Sequence, residues 1–83
     1  MEILDELRVR LEKNPSATVN LIVRTQDDPR NHAAHLESRG ITIRHTYSLI
    51  SGVAIQAAAS DALALAREPW VVSMEEDKVV HTL

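Results

Sequence analysis

Three groups of residues have types and spacings that invite chemistry. His32 and His35 are three apart and would leave one face of a helix as a pair of metal-ligating nitrogens. No third ligand stands at a readable spacing and no His-Glu-x-x-His signature is present, so the pair reads as solvated or half-buried helix histidines. Neither a metal nor a cofactor is expected. Ser48, Ser51, Ser60 and Ser73 lack the Gly-x-Ser-x-Gly turn that exposes a serine nucleophile. Gly40 and Gly52 are the only glycines, which excludes a glycine-rich loop cradling a phosphate. Glu75, Glu76 and Asp77 are consecutive carboxylates at the end of a β-rich run. Alternation along a strand sends Glu75 and Asp77 to one side and Glu76 to the other, which separates them as an acid/base set. No enzyme is expected.

Composition narrows the remaining classes. The 83 residues suffice for one small core of two packed layers. That core must be aliphatic, because Tyr47 and Trp70 are the only large aromatic residues. Apolar burial at about 25 cal/mol per Å² barely exceeds ordering costs of roughly 1.5 kcal/mol per residue in so short a chain, so stability should be modest. There is no cysteine to staple it. The net charge of −3, with nine Lys and Arg scattered singly, offers no basic stripe to nucleic acid. The opening MEILDELRVRLEKN is too charged for a signal peptide, and no apolar run approaches the roughly 20 residues of a membrane span. As written the chain reads as cytoplasmic, or as extracellular if it is an excised pro-segment.

The elements that would position the carboxylates follow from periodicity. Ile3, Leu4, Leu7 and Leu11 recur at helical spacing among charges and predict an amphipathic helix over 2–13, ended near Asn14-Pro15. Val19, Leu21 and Val23 alternate with Thr18, Asn20 and Arg24, which predicts a strand over 17–25. Asp28-Pro29 supplies an N-cap and a first-turn proline, and Gly40 a stop, for a helix burying Ala33 and Leu36. Ile41, Ile43, His45 and Tyr47 alternate with Thr42, Arg44 and Thr46 in a half-buried strand. Ser51-Gly52 turns it into an antiparallel partner with Val53 and Ile55 inward. Ser60 is the expected cap of a second helix carrying Leu63, Leu65 and Ala66, stopped by Pro69, and WVVSM is a last strand.

The order is an N-terminal helix followed by βαββαβ. It suits an α+β, ferredoxin-like domain: a four-stranded antiparallel sheet with two helices on one face, plus the extra N-terminal helix. We divide the chain into that helix, 1–16, and the domain proper, 17–83, with a tail at 78–83. Strand parity puts Asn20, Arg24, Thr42, Arg44, Thr46 and Gln56 on the helix-free face. The tail, Lys78 to Leu83, spans up to about 20 Å if extended and is apolar at Val80 and Leu83. Proteins bind such peptides through backbone hydrogen bonds and side-chain pockets.

The runs YSLISGVAIQ and LALAREPWVVSMEEDKVV resemble the subtilisin propeptide and propeptide-like protease inhibitor family. The pattern is carried by Tyr47, Gly52, Leu65, Pro69, Val71, Met74, Glu75, Asp77 and Val79, and the resemblance extends over about 18–83. The chain departs from it in the N-terminal helix, in Arg24 where lysine is common, in a first strand without its aromatic start, and in Val53 where phenylalanine is frequent. The resemblance implies that the helix-free face packs on two parallel surface helices of a subtilisin-like serine protease. Glu75 and Asp77 would cap those helices, and Val80, His81, Thr82 and Leu83 would enter the active-site cleft. Leu83 would then fill the primary pocket and Val80 a second apolar pocket, with His81 and Thr82 between them.

The expected function is therefore inhibition of such a protease by a product-mimicking tail, with a chaperone-like role in folding the target, in a protein that is monomeric when free. The rival reading is a ferredoxin-like interaction or oligomerisation module without inhibitory activity.

Overall fold

The computed structural model describes residues 2–3, 5–47 and 49–77. Its elements in chain order are β1 (Glu2–Ile3), α1 (Asp5–Lys13), β2 (Thr18–Thr25), a 3-10 turn (Pro29–His32) running into α2 (Ala33–Ser38), β3 (Thr42–Tyr47), β4 (Gly52–Ala58), α3 (Ala59–Leu65) and β5 (Val71–Glu76). The strands form one sheet in the order β1-β5-β2-β4-β3. Neighbours among β5, β2, β4 and β3 are antiparallel, and the domain is ferredoxin-like with an extra N-terminal helix.

One difference from expectation lies at the start. Ile3, assigned by its spacing to the helix, belongs instead to β1, a two-residue strand parallel to β5 that pairs Glu2 with Ser73 and Ile3 with Met74. The helix begins only at Asp5, where Asp5 and Glu6 face its positive N-terminal pole and Arg10 and Lys13 its negative C-terminal pole.

All three helices bury apolar residues against one face of the sheet. Leu7 and Leu11 of α1, Leu36 of α2, and Ala59, Ala62 and Leu65 of α3 close over Leu21, Val23, Val53, Ile55, Val71 and Met74. The cross-strand pairs Leu21–Ile55, Val23–Val53 and Val23–Met74 put these residues in register on that face. The layer is aliphatic, and each Leu or Ile removed to alanine from such a site costs about 2–5 kcal/mol.

The helix ends show which local signals were real. The Asp28 side chain accepts from the Arg30 amide, 3.0 Å, as an N-cap should. Gly40 sits at φ 79°, the left-handed conformation that ends α2 without a Cβ clash. Ser60 is not a cap: α3 starts at Ala59 with Ala58 as its N-cap and no side-chain cap bond. The first amides of α3 are taken instead by the chain ahead of β2, Ala59 N–H donating to Ala17 O at 2.8 Å and Ser60 N–H to Pro15 O at 2.9 Å. Its buried face is Ala59, Ala62 and Leu65, with Leu63 and Ala66 only partly buried.

Candidate functional site

The helix-free face is built from the residues alternating with the core pairs. Register lays it out in cross-strand rows: Glu75–Ile22–Ala54–His45, and Ser73–Arg24–Gly52–Tyr47, with Asn20–Gln56–Thr42 alongside. Ala54 is buried in the trough between Ile22 and His45. Gly52 is closely packed on the same face, where a Cβ would meet Val23 O at 3.3 Å and Tyr47 Cδ2 at 3.7 Å.

The third strand corrects the parity reading. Ile43 pairs with Ile55 but His45 with Ala54, so Arg44 is an extra residue in a β-bulge. The bulge turns His45 and Tyr47 onto the helix-free face and sends Thr46, opposite Val53, to the helix side, the reverse of strict alternation. His45 and Tyr47 meet edge to face with ring centroids 4.6 Å apart.

At one end of this face stand the carboxylates. Glu75 pairs with Ile22 across β2, and Asp77 N–H donates to Asn20 O at 3.0 Å, continuing the ladder by one residue. Alternation then sets Glu75 and Asp77 on the helix-free side, as their spacing predicted. Glu76, opposite Leu21, lies on the helix side and bonds the Arg10 guanidinium of α1. That hydrogen bond, and then the charge of Glu76, raise the Arg10 pKa above its ordinary value. Among the described residues neither Glu75 nor Asp77 enters an ion pair. Val80, His81, Thr82 and Leu83 lie outside the described residues.

A second acidic pair sits beyond the other end of β2. Arg30 holds both oxygens of Asp28, with Nη2 at 2.7 Å from Oδ2, and lowers its pKa to about 2. His32 Nε2 lies 2.7 Å from Asp27 Oδ1, and this bond lowers the Asp27 pKa below its ordinary value. The His32 ring is stacked flat on Trp70, centroids 3.9 Å apart. His35 faces Glu68 instead, 3.6 Å away, so the two histidines have separate partners. Among the described residues no three side chains of metal-ligating type converge, and no helix is long and apolar enough to cross a membrane.

Arg10 was not legible as a site residue. Its one sequence signal was a place on the flank of α1 beside the buried Leu7 and Leu11. The aromatic pair was hidden by the bulge.

The chain is a ferredoxin-like α+β domain with its helices packed on one face and, on the other, two carboxylates without an ion pair among the described residues. The family model of peptidase inhibitor I9 matches residues 9–83, and the chain belongs to this family of subtilisin propeptides and related inhibitors. Its domains inhibit subtilisin-like proteases, which sets this chain among inhibitors of such peptidases. The match begins within α1, so part of the helix absent from the expected 18–83 resemblance is included. No curated protein matches the chain.

Proposed function

We propose that this domain inhibits a subtilisin-like serine protease by docking its helix-free face on the enzyme and laying its tail in the active-site cleft as a product mimic. The observation that carries the reading is the placement of Glu75 and Asp77. They share the helix-free face, have no ion-pair partner among the described residues, and stand where β5 leads directly into Lys78–Leu83.

Each carboxylate would accept from the unpaired amides at the N-terminus of a protease helix. Such a contact is worth about 0.3–1 kcal/mol exposed and up to about 2 kcal/mol when partly buried. With the domain anchored there, Leu83 fills the primary specificity pocket and Val80 the second apolar pocket, and substrate is excluded. A surface that binds only the folded protease also stabilises it by mass action, which would make the domain a folding assistant for its target.

The test is steady-state inhibition of a subtilisin-type protease by the 83-residue chain and by a version lacking Val80–Leu83. We expect competitive inhibition by the full chain and loss of affinity by at least about 100-fold on truncation, as two pocket-filling side chains are removed. Full inhibition by the truncated chain would overturn the tail's role. If neither form inhibits and the mass in solution rises with concentration, the face serves self-association instead.

A further inference from the structure

The end of β5 is held on one edge, unlike its start. On one edge it is bonded to β2 through Asn20, Leu21 and Ile22; on the other, among the described residues, β1 pairs with Ser73 and Met74. Beneath it, between α1 and β2, runs a groove of about 500 Å³ lined by Leu7, Leu11 and Leu21 among others. Arg10 and Glu76 stand on that groove's lining and bond to each other. The helix backbone at Arg10 is anchored, because Leu7 and Leu11 of α1 are buried in the core.

We infer that Arg10 is a positioning residue for inhibition: by pinning Glu76 to the helix side it fixes the alternation of the strand end, and so directs Glu75 and Asp77 out of the opposite face towards the protease. This rests on the docking role proposed above for those two carboxylates. The pair is exposed on both sides, 61% for Arg10 and 37% for Glu76. Exposed ion pairs add little to global stability. Their effect here is preorganisation, which shortens the list of strand-end conformations that must be lost when the partner binds.

The experiment compares the chain with Arg10→Ala, Arg10→Lys and the exchange of Arg10→Glu with Glu76→Arg. Three quantities are read for each: the inhibition constant against a subtilisin-type protease, the thermal midpoint, and hydrogen exchange of the Asp77 amide in the free chain. Arg10→Ala should weaken inhibition and speed Asp77 exchange by about fivefold each, the most an exposed pair can deliver. The thermal midpoint and the exchange of Val23 and Ile55 amides should stay unchanged. Arg10→Lys and the exchanged pair should recover most of both losses. If the parent chain inhibits and Arg10→Ala inhibits equally, the positioning role is overturned while the docking reading stands. If the parent chain does not inhibit, the docking reading fails and takes the inhibitory role with it; the amide exchange then decides whether Arg10 orders the strand end at all. A midpoint that falls together with the affinity would mean that Arg10 is merely structural.

Discussion

Two acidic pairs flank this sheet, and their surroundings differ. Asp27 and Asp28, in the connection between β2 and α2, are answered within the fold by His32 and Arg30, and their protons are correspondingly easy to lose. Glu75 and Asp77, at the end of β5, have no such answer among the described residues. The first pair caps a helix and ties a loop. The second, set on a face without helices, keeps its acceptor capacity, which the docking proposed above would use. A carboxylate's role in so small a domain is thus read from what already bonds it, more than from its place in a charged run.

The sharpest way to break this contrast is to remove both β5 carboxylates. Glu75→Ala with Asp77→Ala should raise the inhibition constant about 30-fold, corresponding to loss of about 2 kcal/mol from two helix-terminus contacts. The thermal midpoint should hardly move, because surface substitutions away from caps and cores stay within about 0.5 kcal/mol. A large fall in the midpoint would show that these residues belong to the fold after all. The complementary change, Asp27→Asn with Asp28→Asn, should lower the thermal midpoint by a few degrees at most, since the cap is kept and the exposed contacts with Arg30 and His32 lose their charge. Inhibition should stay within about twofold, because the two pairs lie too far apart to couple.

The smallest effect is one of acidity. Asp27 and Asp28 both have folded values below the ordinary 3.8, so the unfolded chain takes up their protons first as the pH falls. Their contribution is present above about pH 4 and is lost as the pH drops towards about 2, the folded value of Asp28. The midpoint of the parent chain should therefore decline across that window. With Asp28→Asn the decline should be shallower, and parallel curves would remove Asp28 from the stabilising pair.

How much of this was legible depends on the range of the interaction. Asp28-Pro29 and Gly40 announced the start and stop of a helix because caps are decided within four residues, and the opposed directions of Glu75 and Glu76 followed from the pleat alone. What failed was decided elsewhere in the chain. Ser60 has the right chemistry for a cap, but the carbonyls of Pro15 and Ala17, brought in by β2, reached the amides first. Alternation placed His45 and Tyr47 inward until one extra residue at Arg44 shifted the pairing with β4. Ile3 followed a helical period that the free edge of β5 overrode. Glu76's partner lies 66 positions away on α1, beyond any local pattern.

The sheet order has a consequence in time. β3 and β4 are neighbours in sequence and close through a short turn, whereas β2 must wait for β5, with Leu21 meeting Glu76 across most of the chain. Loop-closure entropy favours a late β2–β5 pairing, and synthesis delivers β5 after the other described strands. Glu75 and Asp77 therefore come into register late, and under the docking proposed above a half-made chain would have no competent face to offer a protease.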